Sequence, residues 1–145
     1  MFKHVLIPTD GSDLSRKAML YGMQLARESG AKVTALHVTQ PYQAISMDAV
    51  LVSLGEDEYE EGAKQLSERA LDQAKIAAEA AGVPCDTISE VSDQPYRAII
   101  DAAHDKGCDL IVMASHGRRG LSALLLGSET TKVLTHSTIP VLVYR

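Results

Sequence analysis

Short apolar runs alternate with stretches of helical periodicity along the whole chain, and this alternation is the tightest constraint on its fold. Phe2 to Pro8, Ala31 to Val38, Asp109 to Ala114 and Pro140 to Tyr144 are too short for core helices and rich in Val, Ile and Leu. Apolar runs without alternation fit strands buried on both faces. Cys85 to Val91 alternates instead, with Asp86 and Glu90 on one side, which suits a charged edge strand.

The intervening segments read as helices. Ser12 or Asp13 caps the first, Leu14, Ala18, Tyr21 and Leu25 share a face, and Gly30 ends it. Glu56 to Ala81 places Tyr59, Ala63, Leu66, Ala70, Ala74, Ala77 and Ala81 along one stripe. Its acidic start complements the helix dipole, and Gly82 and Pro84 stop it. Ser92 to Pro95 caps a third helix with Ala98, Ile99, Ala102 and Ala103 inward and Gly107 at its end. Gly127-Ser128 opens the last helix, with Val133 and Leu134 inward. Thr39 to Gly55 has no clean period and reads as a long excursion.

The order βαβαβαβαβ predicts one α/β domain over 1–145: an open parallel sheet with helices on both faces. The net charge of −5 argues against coating nucleic acid, which needs a basic face. No apolar run approaches membrane-spanning length and no signal-peptide pattern opens the chain, so the expected location is cytoplasmic, with no membrane partner. Cys85 and Cys108 have no metal-ligand or CxxC spacing and read as reduced, packed thiols. The uncovered terminal strand is a candidate edge for pairing with a second copy.

The chemistry concentrates between Ile111 and Thr131. The buried run breaks into Ser115-His116-Gly117-Arg118-Arg119-Gly120, and Gly127-Ser128 then starts a helix. Leu121 to Leu126 between them reads as a helical turn. Glycines admit positive φ and close approach, while a helix N-terminus offers orphan N–H donors and partial positive charge. Together they form a phosphate cradle, with Arg118 and Arg119 adding charge.

Open α/β sheets bind ligands beyond the carboxyl ends of their strands, where strand order reverses. Three turns would line that crevice: Pro8-Thr9-Asp10, Val38-Thr39 and Ala114 to Gly117. An adenine would lie against Val38 and pair with its backbone. Asp10 would accept a ribose hydroxyl or help hold Mg²⁺, and phosphates would take the loop amides and Ser128.

Three rival motifs fail. The acidic pair and terminal Lys of a receiver domain are missing, as is GxxxxGK[ST] of a P-loop, and Asp10-Gly11-Ser12 is no dinucleotide fingerprint. No nucleophile–base–orienter set is legible, so binding is expected rather than catalysis; Asp10 with His116 would support at most slow ATP hydrolysis.

VLIPTDGS, LHV, DLIVMASHGRRG, LLLGS and IPVLVYR, spread over the whole length, resemble the universal stress protein family of the UspA type. The family's nucleotide motif is Gly, two residues, Gly, nine residues, Gly, then Ser or Thr; here it reads Ala114, Gly117, Gly127 and Ser128 at that spacing. The resemblance implies strand order 3-2-1-4-5, a homodimer through strand five, and ATP (or ADP or AMP) as ligand. It carries the binding positions over to Pro8, Thr9, Asp10, Val38, Ala114, Ser115, His116, Gly117, Arg118, Gly127, Ser128, Glu129 and Thr130. Ala114 departs from the motif: its methyl narrows the approach, and a positive φ there would be strained. The carboxylate of Glu129 would repel phosphates unless turned outward. Two functions compete: a dimeric adenine-nucleotide sensor read by a protein partner in a stress response, and a dimeric interaction module without nucleotide.

Overall fold

The computed structural model describes residues 1–45, 55–117 and 125–145. Its strands are β1 (His4–Pro8), β2 (Lys32–Thr39), β3 (Cys85–Val91), β4 (Leu110–Ala114) and β5 (Val141–Tyr144). Its helices are α1 (Asp13–Ser29), α2 (Tyr42–Ile45), α3 (Glu56–Ala81), α4 (Pro95–Asp105) and α5 (Ser128–His136). The strands form one parallel sheet in the order β3-β2-β1-β4-β5, as expected. Burial follows the sequence pattern. Every residue of β4 is buried, as is all of β1 except Pro8, and these strands are central; alternating β3 and half-buried β5 are the edges.

Successive strand residues face opposite sides of the sheet. Val5, Ile7, Val33 and Ala35 pack with Met19 and Met23 of α1 and Leu71 and Ala74 of α3. On the other face Leu6, Leu36, Ile111 and Met113 meet Ile99 and Ala103 of α4 and Val133 of α5. Helix α1 approaches the sheet closely: a Cβ on Gly22 would lie 2.6 Å from Ile7 Cδ1.

The helix faces are rotated from the simplest reading of the periodicity. In α1 the buried residues are Ser15, Ala18, Met19, Gly22, Met23 and Ala26, so Ala18 is inward while Tyr21 is 44% exposed and stacks against Tyr144. Small Gly22 and flexible methionines fit the close approach better than a tyrosine does. In α3 the buried stripe is Ser67, Ala70, Leu71, Ala74 and Ala78, and Leu66 is exposed. Leu134 is exposed too, since Val133 and Thr130 carry the inner face of α5.

Caps follow local chemistry with one exception. Ser12 accepts from Ser15 N–H at 3.2 Å, and Gly30 and Gly82 end α1 and α3 in the left-handed region. The stretch Ser92 to Pro95 opens α4 with Pro95 in the first turn, and Ser92 Oγ accepts from Gln94 N–H at 3.1 Å; the N-cap itself, Gln94, makes no side-chain cap bond.

At the opposite end of the sheet the Asp109 carboxylate accepts from Lys3 N–H (2.9 Å) and His4 N–H (3.1 Å). Burial alone would raise its pKa, but these amides outweigh it and hold it below the usual range. His4 is buried with Nε2 at 2.8 Å from Thr34 Oγ1. Burial, then the Lys32 ammonium, hold its imidazole below its ordinary value. Both cysteines are free; burial pushes the Cys108 thiol up to about 11 and raises Cys85, so neither is a ready thiolate.

Candidate functional site

The crevice begins where β1 stops. Along β2, even-numbered residues direct their backbone groups toward β1 and odd-numbered ones toward β3. Lys32 N–H donates to Lys3 and Leu36 C=O accepts from Thr9 N–H, while Val33 N–H donates to Pro84 and Thr39 C=O accepts from Ser92 N–H. Val38 therefore points its N–H and C=O toward the β1 side, past the last rung of that ladder, where no described residue takes them as backbone partner. An edge-on acceptor–donor pair is left open, the pattern an adenine edge matches.

A tight turn clears this space. Gly11 adopts φ 78°, its N–H donates to Thr9 Oγ1 at 3.2 Å, and Ser12 N–H donates to Asp10 Oδ1 at 2.9 Å. Thr9 is buried and its hydroxyl also lies 3.2 Å from Ser15 Oγ, so its side chain braces the turn.

The glycine loop is pinned at both ends. Ser115 N–H donates to Tyr144 C=O at 2.8 Å, Gly127 N–H to Ser115 C=O at 2.7 Å, and Thr130 Oγ1–H to Ala114 C=O at 3.0 Å. Ser115 and Thr130 are buried; the Thr130 hydroxyl is thus committed to the loop, and Ser115 Oγ sits 3.2 Å from His116 Nδ1. Arg118, Arg119, Gly120 and residues 121–124 of the helical turn expected over Leu121 to Leu126 lie outside the described residues.

Both described loop glycines sit in close contacts rather than in a backbone conformation reserved for glycine. Among the described residues, positive φ occurs at Gly11, Gly30, Gly82 and Gly107, and at no non-glycine. A Cβ on Gly117 would collide with Asp10 Oδ2, and one on Gly127 would meet His116 Cα at 3.1 Å. Ala114 is unstrained. It ends β4 in register with Tyr144, so the concern about positive φ there is removed.

Glu129 is tethered to a neighbouring helix. Its Oε2 accepts from Tyr96 N–H at 2.8 Å, so the carboxylate supplies the cap that α4 lacks. Lys132 Nζ lies 3.5 Å from Oε1, and 5.6 Å from the Tyr96 ring centroid. The Tyr96 ring in turn meets that of His136. Gly127 leaves the first turn of α5 without a side-chain cap.

These elements enclose one cavity of about 780 Å³, within the usual range for small-molecule sites. Of the expected residues Pro8, Thr9, Asp10, Val38, Ala114, His116, Gly117, Gly127, Ser128, Glu129 and Thr130 line it, whereas Ser115 lies behind the wall. The sequence reading missed the far wall: Glu58, Tyr59, Gly62, Ala63 and Leu66 of α3, with Pro95 and Ile99 of α4. Tyr59 fixes that wall by donating to Gln40 C=O at 2.6 Å. Length was the available signal: 26 residues of helix extend about 39 Å, well past the strands beneath. His37, which needed no functional account in sequence, lines the cavity as well.

The parallel sheet, with its cavity at the strand-order reversal, defines a doubly wound α/β domain. The family model of the universal stress protein family matches residues 1–145, and the chain belongs to that family. It is 36% identical to universal stress protein YxiE of Bacillus subtilis (strain 168), each chain covered in full. It is 30% identical to universal stress protein MJ0577 of Methanocaldococcus jannaschii, covering all of this chain and 96% of that one. The solved MJ0577 structure superposes with a TM-score of 0.82 over 99% of this chain and 96% of that one. A universal stress protein crystallised in complex with cAMP is similar at TM-score 0.70 and 26% identity, covering 99% and 97% of the two chains.

Proposed function

We propose that this protein binds an adenine nucleotide in the cavity and acts as a regulatory homodimer in a stress response. The observation that carries this reading is the convergence of Val38's outward backbone pair and the uncapped α5 start on one cavity. The base would lie against Val38 and the ribose near Asp10. The phosphates would take N–H groups of Ser128 and the turn after it, since the Gly127 N–H is committed to Ser115 C=O. The cAMP complex of a relative supports an adenine ligand.

ATP, ADP and AMP share these contacts. No group of three or more metal-ligating side chains occurs among the described residues, so Mg²⁺ would arrive with the phosphates, which supply the oxygens that Asp10 alone does not. Edge strand β5 is the surface for pairing two copies, and a protein partner would read the liganded state. No described helix is long and apolar enough to cross a membrane. The competing reading, an interaction module without nucleotide, rests on Ala114: its strand conformation removes the strain argument, while its methyl still lines the cavity.

The test is native purification followed by denaturation and mass spectrometry for released adenine nucleotide, then calorimetric titration beside Gly127→Val. Saturable binding lost in the variant supports the site. No nucleotide released and no heat at millimolar ligand overturns it.

A further inference from the structure

The described lining of the cavity holds three carboxylates, Asp10, Glu58 and Glu129, and no Lys or Arg. Two helix N-termini face it, α4 at Pro95 and α5 at Ser128, but they are not equivalent. Glu129 Oε2 already holds the Tyr96 amide at 2.8 Å, so the α4 end carries a resident anion. The α5 end has no side-chain cap. Glu129 is itself the residue after Ser128 and lines the same cavity, so its tethered carboxylate shares that space with the start of α5.

We propose that Glu129 is a specificity-determining residue: it directs the ligand's first phosphate to the start of α5 and sets a repulsion that grows with each further phosphate, favouring adenine ligands of low charge over free ATP. This assignment rests on the adenine-nucleotide reading of the cavity. The tether to Tyr96 matters because a mobile carboxylate would swing away from an arriving anion, whereas this one is held by an amide of a neighbouring helix. Lys132 offsets part of the charge from the exposed side of the pair.

Adenosine, AMP and ATP are titrated calorimetrically without Mg²⁺ into the wild type, Glu129→Gln and Glu129→Asp. The Gln side chain keeps an oxygen for Tyr96 N–H and loses the charge. The ratio of ATP to adenosine affinity then rises about tenfold, with AMP rising less, as screened Coulomb energies at short range imply. Glu129→Asp, which keeps the charge, retains the wild-type ratio. An unmoved ratio in Glu129→Gln, or an equal shift for adenosine and ATP, overturns the proposal while leaving the adenine site standing. If the wild type binds none of the three, both readings fall. Should Glu129→Gln melt below the wild type, Lys132→Met gives the second arm: with Glu129 intact its ratio falls, and a constant ratio counts against the proposal.

Discussion

Gly127 donates its amide to the Ser115 carbonyl at 2.7 Å, and a Cβ on Gly127 would lie 3.3 Å from that same oxygen. The two ends of the loop are therefore joined by a contact that a methyl group would crowd. The Gly127 φ of −63° suits any residue, so crowding rather than backbone conformation disfavours a side chain here. Gly127→Ala should destabilise by about 1 kcal/mol, the low end for overpacking. It should weaken nucleotide binding about tenfold by shifting the start of α5. Thermal melts and calorimetry read the two effects separately; unchanged binding would remove Gly127 from the site.

Gly117 and Asp10 form a second contact of this kind, but one partner is the end of a side chain. Gly117→Ala should displace the carboxylate at a stability cost of at most about 1 kcal/mol, the worth of its hydrogen bond to Ser12 N–H. Nucleotide affinity should fall in Gly117→Ala and in Asp10→Ala, and the double variant should be no worse than either. Additive losses in that cycle would show that the two positions act independently.

Gly22 tests the packing of α1 on the sheet. Ala in its place gains about 1 kcal/mol of helix propensity but meets Ile7 Cδ1, and overpacking of this kind costs about 1–3 kcal/mol. Denaturant melts should show Gly22→Ala less stable by about 1 kcal/mol, with Ile7→Val in that background giving no further loss. A stabilised Gly22→Ala would mean that α1 shifts freely.

Acidification should act in two windows. His4 has a lowered folded pKa, so its neutral form is favoured by folding and its contribution is complete above about 6.5. As pH falls below that value the unfolded chain takes the proton first, and stability declines. Asp109 also has a lowered folded pKa, and its contribution is lost only below about 4. The groups facing His4 are Lys32, Asp109, Asp86 and the Lys106 carbonyl. Melts from pH 8 to 3 should show both declines; His4→Gln should flatten the first and Asp109→Asn the second. A first decline that persists in His4→Gln would assign it to another group.

The central place of β1 and β4 and the charged edge at Asp86 and Glu90 were legible because burial on two faces, one face or an edge leaves different residue patterns, whereas the strand order came from the family resemblance. The glycine loop was legible for the same local reason. What escaped was tertiary. The α1 face is set by the small side chain of Gly22 against Ile7, which periodicity alone does not weigh. The Glu129–Tyr96 bond joins residues 33 apart, and no spacing announces it. The α3 wall of the cavity depends on how far the helix overhangs the sheet, so Leu66 read as core and is instead part of the site.

The central position of β1 has a consequence during synthesis. β1 finds β2 within the first forty residues, but its other neighbour begins only at Leu110. At about 5–20 residues per second, one edge of β1 stays open on the ribosome for on the order of ten seconds. The backbone of Val5 and Leu6, fully covered once folding is complete, is exposed for that time to any strand that will pair with it. Chains interrupted before β4 emerges should therefore be the aggregating species in the cell, whatever the stability of the finished protein.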